Sequence, residues 1–439
     1  TTEIYTLSLH DALPIWNRWR LEDTFASPDD YFARCLARMA RQRALSLDCI
    51  RSNPHCVGHS MTGTTDCGDA GEGIVTLFRQ LKPGTTDAIF EGWYPLHWCL
   101  FVEPVQVYRG RPARLEAVLA NEDVLGPGKY PVRIQVVGPG ARHVFDKTIT
   151  LTIEAPASRP RPAFALPVFA EDVAIDGPAG KYRFLVTFQQ GAAATGGETE
   201  FFVGDPAELP AVEAEVVLWG EDAVLAKWLA DRGIRTRPFS SRPGAEASAK
   251  RQIILAAAAP PTPSGAAVFA DLARRIASGS TAVFLSPAVF AKGNQPAGWL
   301  PLARKGSLAS LPSWLYHKDE WAKKHPIFDG LPSGGLMDYT FYRNMISDSR
   351  WSGQDAPAEL VAATINTSLG YDSGTLVSVH NLGAGRFVLN TLEILKRLGQ
   401  DPTAERLLRN LIRYAASDAV KPPADLPPRF DEQLKAMGY

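Results

Sequence analysis

Beyond Cys99 the chain holds no cysteine, and over its 439 residues neither charge sign prevails, the formal net charge being -1. The first absence removes thiolate chemistry from everything after the first quarter of the sequence. The second removes the electrostatic footprint of a protein whose main task is to bind nucleic acid or an anionic membrane. The five cysteines, Cys35, Cys49, Cys56, Cys67 and Cys99, are odd in number and fit no disulfide framework. They read as reduced core residues. The opening stretch, TTEIYTLSLHDALPIW, has no initiating methionine and lacks the charged, apolar and small-residue layout of a secretory leader. His10, Asp11 and Pro14 break its apolar residues, so it is too polar to span a bilayer.

Within that stretch, EIYTLSLHDALPI is similar to a translated sequencing-library adapter. The expectation is that residues 1–15 are foreign and that the native protein extends upstream of Trp16. Compartment is then not legible, and a periplasmic or secreted parent stays open.

What is present is a globular composition, 45% hydrophobic and 21% charged, long enough for two to four domains. Ten tryptophans and 34 prolines suit a β-rich chain with many turns. Three periodicities follow one another. Residues 16–101 open with a helix in SPDDYFARCLARMARQRAL, with Ser27 as N-cap, Pro28 at the first helical position and two acids in the first turn. Phe32, Cys35, Leu36 and Met39 fall at helical spacing and predict its buried face. Pro54 stops the helix, and CVGHSMTG predicts a strand running into a glycine-rich loop. Helix, strand and loop in this order predict the tail of a β/α repeat.

Residues 102–210 alternate with period two in RLEAVLA, YPVRIQVV, KTITLTIEA and KYRFLVTF, separated by Gly-Pro turns. They predict a β-sandwich. Residues 211–418 alternate between continuous apolar strands (EVVLWG, RQIILAAA, TAVFLSP) and amphipathic helices. That pattern predicts a doubly wound α/β domain with a parallel sheet. GTLVSVHNLGAGRFVLN predicts a closing hairpin, and Asp401-Pro402 the start of a last helix. Residues 419–439 read as a loose proline-rich tail.

The chemistry-bearing stretch is GHSMTGTTDCGDAGEG, where Asp66, Asp69 and Glu72 share a loop with several glycines. At the active-site face of a barrel such acids hold sugar hydroxyls or a cation; elsewhere they are a solvated turn. The spacing does not fit a calcium loop. Cys56, His59 and Cys67 lack the paired spacing of a zinc site and read as packing. Trp93 and Trp98, in FEGWYPLHWCLF, offer either sugar-stacking faces or junction packing. Asp66, Asp69, Glu72, His59 and Trp93 are the candidate substrate-binding residues; no metal and no cofactor are expected.

The run RSNPHCVGHSMTGTTDCGDAGEG, followed by FRQLKPG, DAIFEGWYPLHWCLF, VYRG and RLEAVLANED, resembles the end of the catalytic barrel in glycoside hydrolase family 2, the relatives of β-galactosidase and β-glucuronidase. The resemblance covers about residues 24–205. It implies a (β/α)8 barrel followed by an immunoglobulin-like sandwich, a β-linked glycan as substrate, and a retaining mechanism with two carboxylates about 5–5.5 Å apart. The only Asn-Glu pair, Asn121-Glu122, sits between sandwich strands and predicts a turn, so neither catalytic carboxylate is assigned and both are expected upstream of Trp16. HPIFDGLP and GAGRFVLNTLEI through DPTAERLLRNLIRYAA resemble class I glutamine-amidotransferase-like, flavodoxin-type domains over residues 213–417. That chemistry needs a cysteine the segment lacks. Ser286 lacks a nucleophile elbow, and His317, His325 and His380 read as surface or capping residues. The domain is expected to be catalytically silent and to serve packing, assembly, including homo-oligomer formation, or shaping of the active-site rim. The rival readings are a non-catalytic carbohydrate-binding or assembly protein and an α/β hydrolase or amidotransferase centred on residues 213–417, for which Ser286 is the nucleophile to test.

Overall fold

A computed structural model describes residues 14–56, 58–61, 63–66, 71, 73–155, 164–190, 196–240, 250–259, 265–310, 318–366 and 372–439. The chain is a mixed α/β protein of two compact units. One comprises residues 27–208. The other comprises residues 209–439 together with residues 14–26, so the stretch before the first long helix packs with the α/β unit.

In the first unit, helix α1 (Pro28–Arg51) begins as its caps dictate. The Ser27 side chain accepts from the Asp30 amide, Pro28 stands at the first position, and Asp29 and Asp30 lie at the positive end of the helix. Its buried residues are Tyr31, Met39 and Leu47, while Phe32, Cys35 and Leu36 are only half-buried. The buried stripe is therefore rotated from the expected one: the helix meets its neighbours along a face that includes Tyr31. Helix α2 (Thr85–Gly92) lies against α1 so closely that a Cβ on Gly92 would stand 2.9 Å from Leu47 Cβ.

The strand expected in CVGHSMTG is not formed among the described residues. Only single bridges occur nearby, Thr65 with Val75 and Val75 with Leu81. A strand needs a neighbouring strand to take its backbone hydrogen bonds, and this segment pairs with none among the described residues.

The β part begins at Leu96 rather than at 102. Strands β1 (Leu96–Glu103), β2 (Gln106–Tyr108), β3 (Pro112–Asn121), β4 (Gly128–Gly138), β5 (Arg142–Ile153), β6 (Ala165–Ala174), β7 (Gly180–Phe188) and β8 (Gly196–Gly204) make two sheets. Their orders are β1-β3-β6 and β2-β8-β7-β4-β5, with only β2 and β8 parallel. The alternating inward residues form one shared core, with Leu115, Ala117 and Leu119 from one sheet against Val132, Ile134, Val136, Phe184 and Val186 from the other. Asn121 ends β3 and closes the predicted turn: its Oδ1 accepts from the amides of Val124 and Leu125.

The second unit carries β9 (Val216–Trp219), α3 (Ala223–Asp231), β10 (Thr236–Pro238), β11 (Ile253–Ala256), α4 (Gly265–Ala277) and β12 (Thr281–Phe284). Strands β13 (Ser307–Ser310), β14 (Lys318–Ala322), β15 (Gly335–Leu336), β16 (Ser349–Ser352), β17 (Glu359–Asn366), β18 (Asp372–Leu382) and β19 (Gly385–Asn390) follow. The main sheet runs β10-β9-β11-β12-β19-β18-β17-β14-β15. Its first five strands are parallel; β18, β17, β14 and β15 extend it antiparallel beyond β19. The central parallel strands β9, β11 and β12 are short and apolar because both faces are covered. Helix α5 (Pro402–Ala416) is capped by Asp401, which accepts from the Thr403 amide.

The expected loose tail is instead ordered. Helix α6 (Phe430–Ala436) buries Phe430 and Leu434, and the Tyr439 ring stacks with Phe269 and Trp299. The prolines only deliver the chain to that site; an apolar pair one helical turn apart and a terminal aromatic then decide where it stays.

Candidate functional site

Asp66 stands in the loop between α1 and α2. Its Oδ1 accepts from Lys82 Nζ at 2.7 Å and from the Gly73 amide at 2.9 Å. Lys82 also donates to the Gly71 carbonyl at 2.6 Å. The ammonium is almost wholly buried, so the pair is a charge-assisted brace across the loop. The close crossing requires glycine, since a Cβ on Gly73 would lie 2.5 Å from the Asp66 amide nitrogen. Cys67, Asp69 and Glu72 lie outside the described residues.

His59 and Trp93 come together at the surface. Trp93 Nε1 donates to His59 Nε2 at 2.7 Å, and the ring centroids lie 5.7 Å apart. An indole N–H can only donate, so His59 presents an unprotonated Nε2 and carries its proton on Nδ1. Trp93 is 43% exposed, whereas Trp98 is buried with its ring 5.1 Å from that of Phe188. Of the two sugar-stacking candidates, Trp98 is core and Trp93 presents an open face to solvent.

Around this pair in the sequence the surface is apolar. Leu77, Phe78, Leu81, Phe90, Trp93 and Tyr94 are all exposed, and they make up half of the large apolar side chains exposed among the described residues. Phe90 and Tyr94, four apart at the end of α2, touch edge to face at 5.2 Å. All six fall between residues 77 and 94.

A third grouping lies beyond the sequence-based expectations. Asp48, in the last turn of α1, meets His97 and Cys99 on β1, and the three ligand atoms all lie within 4.8 Å of one another. His97 Nε2 lies 2.7 Å from Asp48 Oδ1. The signal was the H-x-C spacing, which on a strand places both side chains on one face. Trp98 and Leu100 point to the sandwich core, so His97 and Cys99 face the other way, toward α1. Cys99 is fully buried, and that burial, reinforced by the Asp48 charge, pushes its thiol up to about 12. Cys49 is exposed and Cys35 and Cys56 are half-buried, so Cys99 alone among the described cysteines is a core residue.

In the α/β unit, Ser286 caps a 3-10 turn by accepting from the Ala288 amide, and Pro287 follows directly. His325 also caps a turn, with Nδ1 accepting from the Ile327 amide and Nε2 2.9 Å from Glu359. His380, expected at the surface or as a cap, is instead buried, stacked on Phe387 and 3.2 Å from Ser378 Oγ. His317 lies outside the described residues. Among the described residues no helix is long and apolar enough to cross a membrane.

No protein-family model matches the chain, and no curated protein matches it. Among solved structures, a ThuA-like protein from Bacteroides uniformis aligns at 11% identity over 49% of this chain and 98% of its own, with a TM-score of 0.32. An exo-β-1,4-mannosidase from an Opitutaceae bacterium aligns at 12% identity over 47% of this chain and 36% of its own, TM-score 0.29. A Parabacteroides merdae β-glucuronidase aligns at 14% identity over 25% of this chain and 13% of its own, TM-score 0.18. The chain thus spans little more than a third of the mannosidase and far less of the glucuronidase. Glycoside hydrolases are among its structural neighbours at weak scores, and likeness at this level decides nothing about activity.

Proposed function

We propose that this chain is the C-terminal portion of a glycoside hydrolase acting on β-linked sugars of glycans, with the carboxylate pair of a retaining mechanism standing on β/α repeats outside it. The observation that supports this reading is the exposed apolar group Leu77, Phe78, Leu81, Phe90, Trp93 and Tyr94. It falls within the stretch whose sequence resembles the end of a catalytic barrel, and a barrel's last helices and loops bury such side chains against the preceding repeats. The segment that would supply the last barrel strand pairs with no strand among the described residues. In this arrangement Trp93 and His59 stand at the rim, where an aromatic face and a ring nitrogen can meet a sugar. The Asp66–Lys82 brace holds the loop between them. Bond cleavage itself requires an acid/base and a nucleophile about 5–5.5 Å apart, and this proposal assigns neither role to a residue of the chain.

The test is incubation of the purified chain with aryl β-galactosides, β-glucuronides and β-mannosides. No aglycone release is expected. Release that disappears in Asp66→Asn would put a catalytic carboxylate inside this chain and overturn the proposal. A second reading, a non-catalytic carbohydrate-binding protein, is favoured by the exposed Trp93 face. It requires binding of β-linked oligosaccharides by the chain alone that Trp93→Ala abolishes.

A further inference from the structure

We propose that Asp48, His97 and Cys99 form a zinc site that fastens helix α1 to the outer face of strand β1. The inference stands on the geometry of these three residues and is independent of the glycosidase reading. One carboxylate oxygen, one imidazole nitrogen and one sulfur lie within 4.8 Å of each other, contributed by two different elements. Zinc holds such donors at about 2.0–2.3 Å, which puts the donor atoms roughly 3–4 Å apart around one ion. The His97 Nε2–Asp48 Oδ1 separation, now 2.7 Å, opens as the ion enters, and the wider separations close from at most 4.8 Å.

The donor set selects the ion. A thiolate excludes magnesium and calcium as favoured occupants, and mixed sulfur, nitrogen and oxygen ligation suits zinc. Three protein ligands leave a fourth tetrahedral position for water. The nearby Arg51 does not close the site with a bare cation: it is held by Glu122 at 2.9 Å and by the Tyr94 carbonyl at 2.9 Å. The Asp48 carboxylate only accepts, so His97 Nε2 carries the proton of their hydrogen bond. On binding, the Cys99 thiol proton leaves to solvent and the imidazole proton passes by way of solvent from Nε2 to Nδ1; the sulfur and Nε2 lone pairs are then free for zinc, with no change of oxidation state. Residues distant in sequence thereby become one joint between the helix and the sandwich.

The experiment uses the full chain, stripped with a chelator under reducing conditions and titrated with zinc or cobalt(II) alone. One equivalent is expected to bind, with a thiolate-to-cobalt charge-transfer band and the visible bands of a tetrahedral cobalt centre. Because other cysteines are present, the decisive form carries Cys35→Ser, Cys49→Ser, Cys56→Ser and Cys67→Ser together and keeps only Cys99; it should retain the band. Cys99→Ser should lose it. If the multiple variant does not fold, Asp48→Asn and His97→Gln serve instead, each weakening cobalt affinity by about tenfold or more. A wild-type band that persists in Cys99→Ser, no band with Cys99 alone in a folded chain, or unchanged affinity in both single variants would each overturn the site.

Discussion

The indole nitrogen of Trp19 donates to Ser373 Oγ at 2.9 Å, tying a residue near the start of the chain to strand β18 of the α/β unit. Lys323 adds a second tie, reaching Asp23 Oδ2 at 3.1 Å. Trp19, Leu21 and Phe25 are buried in that unit. The strap is therefore part of its core rather than a lead-in to α1. Trp19→Ala should destabilise the α/β unit by about 3–5 kcal/mol, the usual cost of emptying a large aromatic site. Trp19→Phe, which keeps most of the apolar area and loses the hydrogen bond, should cost about 1–2 kcal/mol. Denaturant midpoints followed by a probe in the α/β unit measure both; a Trp19→Ala midpoint equal to wild type would show that the strap is dispensable.

The Asp66–Lys82 brace separates a loop-holding carboxylate from a substrate ligand. Lys82→Met should leave Asp66 without its cation and loosen the loop, at a cost of about 3 kcal/mol for breaking a largely buried pair. Asp66→Asn keeps the acceptor oxygen and should cost less. Hydrogen exchange of the Gly73 and Lys82 amides should accelerate in the order Asp66→Asn, then Lys82→Met. Equal protection in all three proteins would mean the brace does not hold the loop.

Burial pushes the His380 imidazole down to about 4, against a smaller opposing pull from Asp355. The unfolded chain protonates this ring near its ordinary value of about 6.5. Below that pH the unfolded state holds a proton that the folded state refuses, so stability is full above about 6.5 and declines as pH falls toward about 4. The loss is at most roughly 3 kcal/mol from this group. His380→Gln should flatten the pH dependence of the unfolding midpoint across that window. An unchanged slope would assign the acid sensitivity to other groups.

At the far end of the chain, Tyr439 stacks on Trp299 and donates its hydroxyl to the Trp299 carbonyl. Lys305 Nζ donates to the Met437 carbonyl at 2.7 Å, and Arg274 pairs with Asp431 at 3.0 Å. Removing residues 430–439 should uncover Phe269 and Trp299, lower the unfolding temperature of the α/β unit by several degrees and increase binding of a hydrophobic dye. A truncated chain with the wild-type melting curve would contradict this.

Local chemistry was the legible part. Ser27-Pro28 and Asp401-Pro402 start helices because a side-chain acceptor followed by a residue without an N–H suits the unsatisfied first turn. Period-two runs became strands, and apolar runs became the covered parallel strands. What failed needed partners far away in sequence. The CVGHSMTG segment has strand composition but no pairing partner among the described residues, and Phe430, Leu434 and Tyr439 read as a tail because their pocket is built by Phe269 and Trp299. Of the candidate site residues, His59 and Trp93 meet, while Asp66 serves Lys82. The H-x-C spacing pairs His97 with Cys99, but Asp48 is illegible as their partner because helix and strand bring it to them across an interval in which spacing carries no information.

Helix α6 has a consequence for how the protein is made. The ribosome delivers residues 430–439 after all other strands and helices of the sheet, so the hollow over Phe269 and Trp299 stays open to water for most of synthesis. A nascent chain paused before that point carries a sticky aromatic patch, and its sealing waits on the codons for residues 430–439.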